Sequence, residues 1–583
     1  ARNDDRVGGV LHERPEPQIS HECQLTLIRP FSARYDRSMG VTHDSSVDVA
    51  VIGGGVNGTG VARDLSLRGL RVVLFERNDF AFGASGNSSG MIHGGVRYLE
   101  TNPNVTETSC RDSGYIQQIA PFLLFRIPFI MPIAEGKKGR ILIELIDAYF
   151  RAYDTYQPLK HSEPHTRLDA ADLAQLEPGL VGRNAGGVTF DEWGVDGARL
   201  CILNALDAEE HGAELHNHAT VESVSRNAEG EWEIAARDLL DQRRHRVRAR
   251  AVVNATGAWS PITASLGKLP PERMRIRPGK GIHVVYDRRL SNYGVLAEAI
   301  DGRQIFVMPW QNVTIVGTTD DDYFGDLDEV VSTSEEVRYL VQGVARVFPA
   351  IRAARAIGTY AGVRPTLYEY GKLEDSLSRE HMVVDHAADG APGAYSMIGG
   401  KLASYRLFAQ EMSDRIARDL APSSVCTTHE KALPGGERAI AALEVAERHE
   451  LTPVAARRLV FRHGARALEV LGNEPAPHEV VCPCEPVLGA EVKHAVRAEH
   501  ARTVDDVARR TRLGLGACGG MRCAMRCGQI VARELDLAPS TGRAQAHAFL
   551  VKQAKMRAAA LGPDQARQEA LALAALRATG TRT

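Results

Sequence analysis

The chain has 583 residues, enough for several domains and a large buried core. Its 44% apolar and 25% charged residues are those of an ordinary folded protein, and a formal net charge of −3 offers no global attraction to nucleic acid. Five of the nine cysteines fall between Cys482 and Cys527, and no secretory leader is read ahead of them. That argues for a metal site in a reducing cytoplasm rather than a disulfide framework.

Residues 1–45 are polar, show no sustained period and are expected to form an unstructured extension; Met39 is a plausible natural start. The first expected element is a strand from Val47 to Ile52, closed by Gly53-x-Gly55-x-x-Gly58. A helix from about Val56 to Arg68 follows, then a strand from Arg71 to Phe75 that delivers Glu76 at its tip. The glycines permit a tight turn and close backbone approach, the helix N-terminus faces a pyrophosphate, and Glu76 stands where a carboxylate accepts ribose hydroxyls. This order of parts predicts a dinucleotide site.

Ser85-Gly86-Asn87-Ser88-Ser89-Gly90 is small and polar, so Ser85 and Ser88 are expected to bond the pyrophosphate. Ile116 to Ile133 is strongly apolar but cut by three prolines and too short to span a bilayer. It is expected to be buried, with a surface dipping into a membrane as the alternative reading. Helices are expected over Ala170–Leu180 and Val195–His211, and strands over Ala219–Val224, Trp232–Ala236 and Val247–Val253. The basic run Arg243 to Arg250 alternates like one exposed strand face.

Asn254-Ala255-Thr256-Gly257 ends a strand in a way that again suits close backbone approach, and Gly400-Lys401-Leu402 opens a helix with a cation suited to negative charge on a reduced flavin. Three Gly-marked sites spread along so much chain suit FAD better than NAD. The strands Ile282–Tyr286, Gln304–Pro309 and Val313–Gly317 are expected to form an antiparallel roof over the flavin, and Ser334–Val347 a helix. Beyond Leu433-Pro434-Gly435-Gly436 the composition turns helical, with helices expected over Arg438–His449 and Pro453–Leu471 and a linker at Pro475-Ala476-Pro477.

Cys482-Pro483-Cys484 and Cys518-x-x-x-x-Cys523 lie on loops flanking helices expected over Leu488–Glu499 and Thr503–Thr511. Four thiolates suit a [2Fe–2S] cluster or a structural zinc, and ligand count alone does not separate the two. A flavin partner favours the cluster, because it gives electrons an exit. Cys527 is a spare thiol or an alternative ligand.

The motifs FERNDFAFGASGNSSGMIHGGVRYLE, VNATGAW, GVRP, GGKLASYR and LPGGE, in this order, resemble the FAD-dependent glycerol-3-phosphate dehydrogenase family. The cysteine-bearing end is similar to the bacterioferritin-associated-ferredoxin-like [2Fe–2S] domain and narrows the resemblance to large subunits of the anaerobic branch. The resemblance implies an α/β fold of the glutathione-reductase/D-amino-acid-oxidase type. Residues 46–430 would form the FAD domain, with an interleaved antiparallel substrate domain at about 106–180 and 270–356. A helical cap at 431–475, an Fe–S domain at 478–540 and a helical tail at 541–583 would follow.

By the same resemblance Arg364 and Arg379 match phosphate-binding arginines, while His93, Arg97 and Lys401 match positions beside the flavin; Tyr98 and Arg303 are further substrate candidates. Planar, permanently charged arginines are what phosphate recognition wants; of the catalytic candidates, His93 is a proton acceptor for alcohol oxidation or an orienting donor, Arg97 holds the substrate or stabilises the developing alkoxide, and Lys401 offsets charge at the flavin. The implied reaction is oxidation of sn-glycerol 3-phosphate to dihydroxyacetone phosphate. Electrons would pass to a quinone or to partner subunits, a second flavoprotein and an Fe–S membrane protein, on the inner face of the cell membrane. The alternatives are an oxygen-reducing oxidase of the same fold, and an electron-transfer flavoprotein that works on another hydroxy or amino acid.

Overall fold

The strand β1 (Thr42–Ile52) runs through the middle of an eight-stranded sheet, between β2 (Val72–Phe75) and the strand Arg244–Asn254. All three are parallel, and with Glu214–His216 and Ala394–Gly399 they build the dinucleotide-binding layer; His381–Asp385 closes the far edge antiparallel. The computed structural model describes residues 42–578, apart from 101, 372–380, 473 and 475. The expected N-terminal extension therefore lies outside the described residues, except for its last four positions, which belong to β1.

Burial on both faces explains the unbroken Val-rich run of β1 and β2. On one side Val49, Val51 and Leu74 pack against Leu65 of helix α1 (Val56–Leu67) and against Phe408 and Met412 of the helix Tyr405–Leu420. On the other side Ala50, Ile52, Val73 and Phe75 meet Trp232 and Ile234 of the strand Trp232–Asp238. The basic run alternates as expected: along Arg244–Ala249 the arginines are exposed while His245, Val247 and Ala249 are buried.

A ten-stranded, mostly antiparallel sheet forms the second layer, with Ile276–Tyr286 paired to both Val313–Gly317 and Ala356–Leu367. The apolar stretch that begins at Ile116 finishes a helix (Pro103–Ile119) and then forms the strand Leu124–Ala134. That strand sits inside this sheet, between Asn184–Val195 and Gly294–Glu298. Ile127, Phe129, Ile130 and Ile133 are buried and the rest of the strand is partly covered except Arg126 and Ala134, while the next helix, Lys137–Tyr153, exposes Ile141, Leu142 and Leu145. Among the described residues no helix is long and apolar enough to cross a membrane.

The C-terminal part is helical. The expected long helix from Pro453 breaks at Gly464, whose φ of +54° ends Pro453–His463 before Ala467–Gly472 begins. A two-stranded hairpin, Val480–Cys482 and Val487–Leu488, carries the first two cluster cysteines, and the helices Gly489–Ala498, Val504–Thr511 and Ala524–Glu534 follow. The last helices are not a loose tail. Pro539–Arg557 supplies Ala546, Phe549 and Leu550 to the core that also buries Cys482, Cys523 and Cys527.

This region is bolted to the dinucleotide layer by buried ion pairs. Arg199 and Glu499 bond through two contacts of 2.7 Å, and Arg510 reaches Asp79 at 2.6 and 3.0 Å. The cysteine-bearing segment is therefore fixed against the dinucleotide layer.

Candidate functional site

The turn after β1 is built as a cradle. Gly53 has φ +109°, and a Cβ there would lie 2.7 Å from the Ala255 carbonyl oxygen. A Cβ on Gly58 would come within 1.9 Å of the Gly53 carbonyl oxygen, so the first turn of α1 can press against the end of β1 only with glycine at both places. The first amide of α1, Val56 N–H, donates to Ser85 Oγ at 3.0 Å, which brings the expected serine run to the helix N-terminus.

At the tip of β2 the Glu76 carboxylate accepts the N–H groups of Gly54 at 2.7 Å and Asn78 at 2.8 Å. Burial pushes its pKa up, and these two backbone bonds oppose that shift by favouring the ionised form. Both oxygens are thereby held in place, with acceptor capacity left over for a ligand hydroxyl.

A cavity of about 700 Å³ opens in front of this turn. Of the residues singled out from the sequence, Gly53, Gly55, Glu76, Ser85 and Ser88 line its first wall. Thr256 and Gly257 line a second wall, and Gly400, Lys401 and Leu402 a third. His93, Tyr98 and Arg364 complete it, so residues distant along the chain share one chamber. Gly58 stands behind the wall rather than in it. Arg303 is brought elsewhere: it bonds Asp301 at 2.7 Å and Asp321 at 3.1 Å and is absent from the cavity lining. A short turn that places Asp301 two residues before Arg303 captures it locally. The Arg97 side chain and all of Arg379 lie outside the described residues.

Lys401 Nζ stands 3.8 Å from the centre of the Tyr98 ring, a close cation–π contact inside the chamber. Arg364 lies across Gly281 of the neighbouring strand, where a Cβ would meet its guanidinium at 2.3 Å. Its Nη2 donates to Thr318 Oγ1 at 2.9 Å and its Nη1 to the Thr319 carbonyl at 3.1 Å, with Asp320 at 3.3 Å. The guanidinium is thus oriented before any substrate arrives.

Three residues of the chamber and its supports escape sequence reasoning. His283 lies in the strand expected as the flavin's roof. Its Nε2 pairs with Ser89 Oγ at 2.9 Å, its ring stacks on Tyr360 at 4.6 Å, and its Nδ1 has no hydrogen-bond partner among the described residues. Burial, and then the nearby Arg364 charge, lower its pKa to about 3, so it is neutral near pH 7. A polar residue inside the apolar run Ile282–Tyr286 was the available signal. Glu192 and the fully buried Lys160 pair at 3.0 Å, and Glu192 accepts Gly94 N–H at 3.0 Å, fixing the turn that carries His93. Nothing local in the sequence joins those two.

The cysteines also converge. Cys484 Sγ lies 3.7 Å from Cys518 Sγ, and the Cys523 thiol donates to the Gly520 carbonyl at 3.7 Å. Interaction with the neighbouring Cys523 thiol, opposed by burial and aided by backbone N–H groups of Gly514, Glu485 and Cys484, lowers the Cys482 pKa to about 6. Cys527 is wholly buried beside them, and burial pushes its thiol up. The sulfurs come together as pairs, and among the described residues no three of them are gathered closely enough to hold a single ion.

The fold and chamber define a flavoprotein oxidoreductase of the D-amino-acid-oxidase type. The model of the family described as FAD dependent oxidoreductase matches residues 48–406, and that of the C-terminal domain of alpha-glycerophosphate oxidase matches residues 426–541. A subunit of the anaerobic glycerol-3-phosphate dehydrogenase of Escherichia coli (strain K12) is 32% identical over 84% of this chain and 89% of its own length. A glycerol-3-phosphate dehydrogenase of Synechocystis is 34% identical over 80% and 88%. The solved glycerol-3-phosphate dehydrogenase of Bacillus halodurans complexed with FAD shares the fold, with a TM-score of 0.67 and 24% identity over 89% of this chain and 96% of that one.

The chain belongs to the FAD-dependent oxidoreductase family, in its glycerol-3-phosphate dehydrogenase branch. FAD is its cofactor, and the glycine cradle, the Glu76 tip and the chamber volume fit it. The match to the C-terminal domain of alpha-glycerophosphate oxidase includes the cysteine-bearing segment.

Proposed function

We propose that this enzyme oxidises sn-glycerol 3-phosphate to dihydroxyacetone phosphate and hands the electrons to a membrane quinone or to electron-accepting partner subunits. The observation that carries the reading is the Arg364 guanidinium, held in one chamber with Lys401, Tyr98 and His93. A permanently charged, pre-oriented fork suits a phosphate dianion, and a polyol without phosphate has nothing to offer it.

FAD, when bound, supplies the acceptor for the hydride leaving the substrate carbon. The chain's own groups do the rest. Arg364 holds the phosphate and Arg97 adds a second cation by family resemblance. His93 takes the hydroxyl proton, in a turn kept rigid by Glu192 and Lys160. Lys401 offsets negative charge beside the flavin. His283, neutral at working pH, leaves the cationic side of the chamber to the arginine and lysine.

Cys482, Cys484, Cys518 and Cys523 would hold a [2Fe–2S] cluster, which supplies a one-electron exit. The exposed apolar face of the helix Lys137–Tyr153 suits an anchorage on the inner surface of the cell membrane. The match of the cysteine-bearing segment to the oxidase C-terminal domain favours a second reading, in which oxygen takes the electrons and peroxide forms.

An anaerobic titration tests the first reading. Glycerol 3-phosphate bleaches the flavin absorbance, and glycerol at the same concentration does so far more slowly. Iron and sulfide analysis, with peroxide measured in air, separates the two acceptors: metal-free protein with fast peroxide release supports the oxidase.

A further inference from the structure

The loop that follows Glu76 is not held by the dinucleotide layer alone. Asp79 is 1% exposed, and its two oxygens bond Arg510, which is wholly buried, at 2.6 and 3.0 Å. Arg510 belongs to the helix Val504–Thr511, which lies in sequence between the second and third cluster cysteines. Two more of its donors go to the Glu499 carbonyl at 2.6 Å and the Asp506 carbonyl at 2.9 Å. Asn217 completes Asp79 at 2.9 Å, and Asp506 of the same helix pairs with His218 at 2.9 Å.

We infer that Arg510, a residue of the cysteine-bearing segment, is a positioning residue for the adenosine half of FAD, acting through Asp79 on the loop that presents Glu76. The inference rests on the reading of Glu76 as the ribose-binding carboxylate.

The argument is one of connectivity and desolvation. Glu76, Arg77 and Asn78 line the cavity, and Asp79 is the next residue, turned inward away from it. Asn78 N–H is one of the two donors that orient the Glu76 carboxylate, so a shift at Asp79 reaches Glu76 through a single intervening residue. Phe82, also in the lining, donates its N–H to the Asp79 carbonyl at 3.2 Å. Two fully buried opposite charges joined by parallel hydrogen bonds admit one geometry. Removing one takes the two-bonded partner from the other in a low-dielectric interior, and the loop must move to restore what is lost. Other charges face Asp79: Arg509 stands 3.4 Å away but on the side of Asp505, to which it is bound, so it does not replace the fork.

The test uses apoprotein made from the full chain, titrated with FAD and with FMN. FMN shares the ring system and the ribityl phosphate but lacks the adenosine ribose. Arg510→Met is expected to weaken FAD binding by about 10-fold or more and FMN binding by less than about 2-fold, with Arg510→Lys recovering part of the loss. Glu76→Ala is expected to show the same selectivity. Asp79→Asn, which keeps the shape and one acceptor, gives the same readout if Arg510→Met does not fold.

Selective loss in Glu76→Ala without it in Arg510→Met overturns the positioning role. Equal loss of FAD and FMN in Arg510→Met also overturns it, in favour of general destabilisation. Unchanged selectivity in Glu76→Ala removes the ribose assignment, and the inference falls with it.

Discussion

Arg364 shows how one side chain is prepared for an anion. Its fork is oriented by Thr318 and the Thr319 carbonyl, and it lies flat because Gly281 has no side chain. Arg364→Ala is expected to lower kcat/KM for glycerol 3-phosphate by about 10- to 150-fold, the loss of one charge-assisted bond to phosphate. The slow turnover of unphosphorylated glycerol stays where it was. Equal damage to both substrates identifies Arg364 as a structural residue. The buried pair Lys160–Glu192 behaves differently, because it touches the chemistry only through the His93 turn. Glu192→Leu strands a buried ammonium, and a loss of about 3–5 kcal/mol in unfolding free energy by denaturant titration is expected. Lys160→Met combined with Glu192→Leu recovers most of it, since no charge is left unpaired.

At the level of elements, the cysteine site is a hairpin and a loop drawn together by three helices. Cys482 and Cys484 come from the hairpin, Cys518 and Cys523 from the loop before Ala524–Glu534. Replacing Cys484 and Cys518 by Ser breaks the pair separated by 3.7 Å; on the proposal of a [2Fe–2S] cluster, iron and its absorbance above the flavin bands are expected to vanish, and protein that carries no iron before the replacement contradicts that proposal. Reduction of the flavin by substrate survives, because neither cysteine lines the chamber, while transfer to an external acceptor slows. The helix Lys137–Tyr153 makes a separate prediction. Its exposed Ile141 and Leu145 are both about two-thirds accessible at 65% and 63%, so Ile141→Asp with Leu145→Asp removes its apolar face without touching the core. Co-sedimentation with anionic lipid vesicles is expected to fall while flavin reduction in solution is kept. Unchanged sedimentation overturns the proposal that this helix anchors the protein on a membrane.

For the whole molecule, the buried histidines set the acid limit. His283 is lowered from 6.5 to about 3 by burial and then Arg364, and His463 to about 4 by burial and then Arg199. Between about pH 6.5 and those values the unfolded chain binds protons that the folded chain does not, so stability rises with pH across that window. The contribution is complete above about pH 6.5 and is lost as pH falls through the folded values, at up to about 1.4 kcal/mol per pH unit for each histidine. Glu491, held down to about 2 against burial by Arg462 and His463, adds a loss that begins only below about pH 4.5. Denaturant midpoints measured from pH 7.5 to 4.5 are expected to fall from about pH 6.5 downward. Replacing His283 by Asn shallows the slope; a flat profile down to pH 5 contradicts both histidine assignments.

The sequence by itself determined the dinucleotide half of this protein. A strand, a glycine turn, a helix and an acid at the next strand tip interact with near neighbours, so periodicity and punctuation are enough to read them. Gly53 and Glu76 line the chamber at that turn, while Gly58 packs behind it against the Gly53 carbonyl. The same holds for the helix Ser334–Val344, whose Thr333 and Glu336 cap each other locally. What the tertiary structure decided is everything that depends on pairing across long stretches of chain. Arg303 looked like a phosphate donor and is captured by Asp301 and Asp321, while His283, in a strand read only as a roof, enters the chamber. The cysteine-bearing segment read as a separate module, yet Arg199–Glu499 and Arg510–Asp79 weld it to the dinucleotide layer. Burial of those charges makes their partners obligatory, and which partner each finds is a property of the packed chain, not of any window of sequence.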